Sequence, residues 1–319
     1  MEINLLPART APIRWLLPSA TMPRAALAPL IGLAYVVSLA GIGQLHAPNV
    51  FLGALGFLDL YNEKTRQFLR TFLPCILTGA IYDSFRFALH PLIDGRIHVA
   101  GPYVLDRMLF GVGGHTLNEV FARHHWAAAD LVAGVTYLVY VVEYLALAML
   151  LFFRGGRARA RTFARGFLVV NLLGFVTYVV YPAAPPWYVA QHGLGAAQLH
   201  AAPSAAGALR FDALLHTHVF ANAYAHSVAV FGALPSLHVA YPALAALLVL
   251  RTAALRWARA MTIVYALLIC GSAVYLQHHY VIDVVLGLVY AVISAGTVLA
   301  WERRDAGARV RRPARHLAA

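Results

Sequence analysis

Charge is scarce in this chain. Only 12% of its 319 residues are Asp, Glu, Lys or Arg, about half the share in a soluble globular protein. Acids are the scarcer sign: 13 stand against 25 Lys and Arg, for a formal net charge of +12 and a pI near 10.0. Cysteine occurs twice, as Cys75 and Cys270 in apolar runs, so neither a disulfide framework nor a cysteine-based zinc site is indicated. Disorder requires low hydrophobicity, whereas 61% of these residues are hydrophobic and the mean hydropathy is +0.68. A nucleic-acid-binding domain would keep a soluble core and add a basic patch, so no nucleic-acid partner is expected. An integral membrane protein remains.

A membrane-crossing helix needs about 20 mostly apolar residues. Candidate spans lie near 25–45, 68–90, 127–153, 166–181, 235–250, 261–277 and 280–301. They predict an all-α polytopic membrane protein with six or seven transmembrane helices. Residues 1–24 hold Pro7, Pro12, Pro18 and Pro23 and read as an interfacial tail rather than a cleaved leader. Residues 25–302 form one membrane domain, and 303–319 a basic tail. No internal repeat divides the chain.

Arginine clusters set the expected orientation. The first runs through Arg154, Arg157, Arg159, Arg161 and Arg165, and the second through Arg251, Arg256 and Arg259. Arg303, Arg304, Arg309, Arg311, Arg312 and Arg315 follow the last span. These clusters sit at alternate ends of consecutive spans and so share one face, cytoplasmic by the positive-inside rule. The C-terminus is then cytoplasmic, in a plasma (inner) membrane. The segment 182–234, with Arg210 its one strong base, lies outside. The first third leaves two alternatives. Arg9, Arg14 and Arg24 conflict with an external N-terminus, so either 25–45 is not a full span or 91–126 dips back into the membrane.

Two stretches break the apolar pattern, both at the outer, periplasmic face. Gly232-Ala233-Leu234-Pro235-Ser236-Leu237-His238 opens the 235–250 span, and Gln277-His278-His279-Tyr280-Val281-Ile282-Asp283 opens the last one. Residues four apart share a helix face, so His279 and Asp283 are neighbours while His278 points elsewhere. A carboxylate behind an imidazole fixes its tautomer and frees the far nitrogen, although an acid in the first turn also suits the helix dipole. Pro235 suits a helix start. The free amides there, with the Ser236 hydroxyl, make an anion site.

Together these stretches resemble the phosphatidic-acid-phosphatase type 2 (PAP2) superfamily, specifically its branch of inositol phosphorylceramide and sphingomyelin synthases. The likeness lies in Pro-Ser-x-His, a basic turn, one helix, then His-x-x-x-Asp. It extends to Tyr181-Pro182-Ala183-Ala184-Pro185-Pro186-Trp187-Tyr188, to Tyr82-Asp83-Ser84-Phe85-Arg86 and to Leu105-Asp106-Arg107-Met108-Leu109-Phe110-Gly111. It covers roughly residues 75–300 and implies a PAP2-like helical bundle. Leu237 stands where the general signature has glycine, as in the synthase branch. Ala273 stands where the phosphatases place an arginine, and the lysine-containing first signature is missing.

The resemblance implies that His279 attacks phosphorus and forms a phosphohistidine, Asp283 orients it, and His238 protonates the leaving alkoxide. Phosphoryl transfer also requires positive charge. With Ala273 unable to supply it, Arg86, beside Asp83, is the first choice, followed by Arg107 and Arg210. No metal or other cofactor is called for. The implied reaction moves a phospho-headgroup, phosphoinositol-like, from a phospholipid to a ceramide-like or other lipid hydroxyl. One alternative is a lipid phosphate or polyprenyl diphosphate phosphatase. Another, from a different class, is a non-catalytic lipid-binding or transport protein. A catalytic site requires His238 and His279 to face one cavity, a phosphate's width apart.

Other polar residues carry less. His192, His200, His216, His218 and His226 crowd the outer loop, but Asp212 is the one nearby acid and the spacing is irregular, so no metal site is expected. His124 and His125 sit with Trp126 at an aromatic belt. Glu143 and Asn171 lie inside spans, where helix-to-helix hydrogen bonds are expected.

Overall fold

A computed structural model describes residues 27–310, except 155, 226 and 228. The expected N-terminal tail, His226 and the end of the basic tail lie outside the described residues. The chain divides into two units, Met1–Ile76 and Leu77–Ala319. Among the described residues there are helices, isolated bridges and no strand.

The first unit holds α1 (Leu27–Gly41), α2 (Ala47–Leu55), α3 (Leu58–Tyr61) and the start of α4 (Glu63–Ile93). Helices α1 and α2 pack where Gly32 meets Gly53: a Cβ at Gly32 would collide with the Gly53 carbonyl oxygen. Asn49 starts α2 by accepting the His46 N–H at 2.7 Å.

The second unit continues through α5 (Ala100–Phe110), α6 (Leu117–Arg123), α7 (Ala127–Leu138), α8 (Tyr140–Phe153) and α9 (Arg157–Val180). The loop helices α10 (Pro186–His192), α11 (Leu209–Leu215) and α12 (Val219–Ala225) follow. Then come α13 (Leu237–Leu250), α14 (Arg259–Tyr275) and α15 (Val281–Val310). Helix α13 is the hub, packed against α8, α9, α14 and α15. Most of its residues are buried, and His238, Leu247 and Leu250 are the ones that are not. The N-cap of α13 lies against α15 at Gly287, where a Cβ would meet the Ser236 carbonyl oxygen at 2.5 Å. Below the histidine loop, Tyr137, Phe211, Phe220, Ile269, Ala273 and Leu276 form a buried cluster.

Seven helical segments coincide with the seven expected spans. Four are long and apolar enough to cross a membrane: α4, α9, the helix ending at Tyr275, and α15. The pair α7 and α8 makes a fifth if its 46° bend belongs to one span. The other two, Ala28–Gly41 and Leu237–Leu250, are apolar but shorter. The 14 residues of α13 reach about 21 Å at 1.5 Å per residue, less than the roughly 30 Å hydrocarbon core. Six or seven is thus an approximate number. Residues 91–126 form the short helices α5 and α6 instead of a further span.

The arginine clusters meet at one end. Arg159 pairs with Glu302 at 2.8 Å and Arg165 with Asp305 at 2.9 Å, while Arg159, Arg251 and Arg303 line one groove. The histidine stretches occupy the opposite ends of α13 and α15. Of the two polar residues expected to bond between helices, Asn171 does so: it accepts the Tyr241 hydroxyl. Glu143 does not, because its carboxylate oxygens have no hydrogen-bond partner among the described residues.

Candidate active site

The site grows from the loop between α14 and α15. After Tyr275 the backbone reverses through Gln277, whose φ of +63° lies in the left-handed region. The reversal lets the amides of His278 and His279 both donate to the Ala273 carbonyl, at 3.2 and 3.1 Å. Asn118 of α6 clamps the loop from outside, donating to the Val274 and His279 carbonyls at 2.9 Å each. The Ala273 side chain is fully buried in the core, so the arginine that the phosphatases carry at this position has no room here.

His279 and His238 face each other. Nδ1 of His238 lies 3.1 Å from Nε2 of His279, and Nδ1 of His279 lies 2.8 Å from the Ala233 carbonyl oxygen. A carbonyl only accepts, so His279 Nδ1 carries the proton and its Nε2 presents a lone pair. The His238 Nδ1–H then donates to that lone pair. The rings are in direct hydrogen-bond contact, closer than the phosphate's width the sequence led us to expect. A phosphoryl group must part them to reach either nitrogen.

Asp283 is fully buried, and its Oδ2 accepts the Tyr280 N–H at 2.8 Å while standing 3.7 Å from His279 Nδ1. Helix capping and support of the imidazole therefore fall on one oxygen, and the nearer tautomer-setting group is the Ala233 carbonyl. Asp106, fully buried on α5, accepts the Ile282 N–H at 3.0 Å. Burial pushes its carboxyl up to about 6, against the Ile282 amide and with Asp283 adding to the rise. Ser236 is the N-cap of α13, its Oγ accepting the Val239 N–H at 3.4 Å, and its own N–H donates to the Asp283 carbonyl at 3.0 Å. Such a cap contributes about 1 kcal/mol and here also ties the two motifs together.

Segment 181–188 supports the same spot. Ala183 donates to Phe231 at 2.8 Å and accepts from Ala233 at 3.4 Å, while Trp187 donates to Gln277 at 3.1 Å. The proline-rich stretch thereby braces both Ala233 and the histidine loop.

The three candidate arginines differ. Arg210 Nε donates to Asp130 Oδ1 at 2.6 Å, a second nitrogen donates to the Tyr275 carbonyl at 3.4 Å, and Tyr275 donates to the same Asp130 oxygen at 2.9 Å. It braces the base of the loop. Arg86 stands 3.7 Å from Asp83, and Arg107 lies 5.4 Å over the Tyr103 ring. Among the described residues, none of the three has a hydrogen bond or ion pair to His238, His279 or Asp283.

Sequence reasoning missed a cage of tyrosines. The α7–α8 bend turns Tyr137 and Tyr140 onto His238, each with its ring centroid 4.3 Å away. His278, expected to point elsewhere, is stacked between Tyr137 at 5.0 Å and Tyr224 at 4.5 Å. Burial, with His279 beside it, pushes the His278 imidazole down to about 3, so it is a neutral wedge. The sequence signal was present in Tyr137 and Tyr140, but a three-residue interval on a straight helix does not reveal the bend.

Comparison with known proteins bears on this geometry. The model of the PAP2 superfamily matches residues 103–297. The chain is 36% identical to the phosphoinositol dihydroceramide synthase of Bacteroides thetaiotaomicron, covering 83% of this chain and 88% of that one. It is 30% identical to the inositol phosphorylceramide synthase catalytic subunit aur1 of Schizosaccharomyces pombe, over 62% of this chain and 49% of that protein. It is also 30% identical to the subunit AUR1 of Saccharomyces cerevisiae, over 76% and 58%. The chain thus spans about half the length of these fungal relatives. No solved structure matches. The matched segment contains His238, His279, Asp283 and the residues that brace them, and the chain belongs to the PAP2 superfamily.

Proposed function

We propose that this protein is a membrane lipid phosphotransferase that moves a phosphoinositol-like headgroup from a phospholipid to a ceramide-like hydroxyl through a phosphohistidine on His279. One observation carries the reading: His279 Nδ1 is held on the Ala233 carbonyl while Nε2 faces His238 Nδ1 at 3.1 Å. In the first step His238 enters as the imidazolium: Nε2 of His279 bonds to phosphorus, the phosphorus–oxygen bond to the diacylglycerol breaks, and that oxygen takes a proton from His238, which is left neutral. In the second, His238 removes the proton of the acceptor hydroxyl, whose oxygen bonds to phosphorus as the phosphorus–nitrogen bond breaks. Splitting the displacement suits a poised imidazole pair. Asp283 supports the imidazolium, and Arg86 and Arg107 are the candidates to hold phosphate oxygens.

Transfer is favoured over hydrolysis because His279 is only 4% exposed, so bulk water is kept from the intermediate. The relatives named as synthases point the same way. The arginine clusters at the far end of the bundle support a site on the outer face of the plasma membrane with a cytoplasmic C-terminus. The test is reconstituted protein with headgroup-labelled phosphatidylinositol and ceramide, followed by an alkaline detergent quench and a later acid treatment of the isolated protein. Labelled ceramide product and an acid-labile protein adduct, both absent from His279→Ala, are expected. Product without His279 sinks the mechanism, and release of free headgroup alone makes the protein a hydrolase. Specific donor binding without turnover makes it a lipid-binding or transport protein.

A further inference from the structure

A cleft of about 250 Å³ uses the histidine loop as one wall, with Gln277 and Tyr280 lining it. Its polar side carries Tyr103, Asn118 and Glu119, and its other side is apolar, made by Pro186, Val189, Ala190 and Leu194. Two of the lining residues each carry a buried polar atom that lacks any hydrogen-bond partner among the described residues, the Tyr280 hydroxyl and Asn118 Oδ1. Their residues are 1% and 3% exposed. Buried polar atoms of this kind cost free energy unless a ligand or water completes them. Burial, with Asp283, Asp106, Tyr103 and Glu119 around it, pushes the Tyr280 phenol up, so it stays a neutral donor.

The lining excludes an anion. None of the residues that line the cleft is Lys, Arg or His, and Glu119 is an acid whose oxygens accept from Tyr103 at 3.1 Å and Thr116 at 2.8 Å. Acceptors and hydroxyls on one wall and aliphatic carbon on the other match a ring with hydroxyls at its edge and C–H bonds on its face. We propose that the cleft binds an uncharged polyhydroxyl ring through Tyr280, Asn118 and Glu119, and that it seats the polyol of the donor headgroup. The second half rests on the phosphotransfer reading; the first does not.

The test compares transfer to ceramide from phosphatidylinositol and from phosphatidylethanolamine by the full chain in phosphatidylcholine vesicles. Tyr280→Phe removes only the unpartnered hydroxyl and should lower the phosphatidylinositol preference by about 5–10-fold, the scale of one hydrogen bond, through KM more than kcat. Ala190→Trp, which fills the apolar side, should lower it further. In parallel, labelled myo-inositol should bind the wild type and His279→Ala alike and bind Tyr280→Phe more weakly. It should also compete with the phosphatidylinositol donor. A wild type that binds no myo-inositol, or variants that keep both binding and donor preference, overturn the cleft. Binding without competition overturns the headgroup assignment alone. Absence of all transfer with Tyr280-dependent myo-inositol binding sinks the phosphotransferase reading and leaves the cleft standing.

Discussion

At the arginine end of the bundle, Arg159–Glu302 and Arg165–Asp305 pair at 2.8 and 2.9 Å with side chains 29–52% exposed. At the histidine end, His278, His279 and Asp283 are 4% exposed or less, and each bond there holds the next group. Water can replace a lost partner in the first region, so each pair is worth about 0–1 kcal/mol. In the second, a lost partner leaves a buried polar group bare at about 1–3 kcal/mol, and its neighbours lose their alignment too. The ion pairs of the first end sit where solvent screens them, and the groups assigned to chemistry sit where it does not.

The sharpest contrast between the ends is catalytic. His279→Ala should abolish ceramide-product formation in the reconstituted assay, and His238→Ala should reduce it by about 10²–10⁴-fold. Both variants should elute as the folded protein in gel filtration. Equal activity in either variant would erase the functional difference between the two regions.

Next in size is the brace under the loop. Arg210→Met leaves Asp130, 8% exposed at its side chain, with only His125 at 3.7 Å as a basic partner among the described residues, and should destabilise the protein by about 2–3 kcal/mol. A drop in thermal midpoint is expected together with a lower kcat, because Arg210 also holds the Tyr275 carbonyl.

An effect that appears only when pH is varied also separates the ends. The His278 imidazole is held down to about 3 from its ordinary 6.5. Between those values the unfolded chain binds the proton and the folded chain does not. The associated stability is therefore present above about 6.5 and lost as pH falls toward 3. Asp106, raised from 3.8 to about 6, acts oppositely: stability is lost as pH rises through that interval. His278→Phe keeps the stack between Tyr137 and Tyr224 and should flatten the acid-side fall in thermal midpoint. Asp106→Asn should gain on the wild type as pH rises from 4 to 7.

The smallest effect belongs to the arginine end. Arg165→Ala should change stability by no more than about 1 kcal/mol and vanish in high salt, as read by thermal midpoint. A larger loss would mean that this end, too, is a connected network.

The outline of the bundle was legible because apolar runs and arginine clusters are one-dimensional signals, and the structure reproduces the seven segments. The pairing of His238 with His279 was legible from two motifs at the same end of adjacent helices. Contacts set by the third dimension were not. Ala233 contributes a carbonyl, which no side-chain pattern advertises. A phosphate calls for positive charge, which singles out Arg107 in the sequence and hides its neighbour Asp106, whose role is an amide contact made only in the fold. His278 was set aside on helical spacing, yet it lies in a turn shaped by Gln277, outside any helix.

On the proposed mechanism, the bond between His238 and His279 acts as a latch. The lone pair proposed to attack phosphorus is engaged by its own partner. Opening the latch requires a ligand large enough to wedge the rings apart and polar enough to replace the bond they share. Selection of the substrate therefore begins before any chemistry, in the choice of which molecule is able to separate two imidazoles.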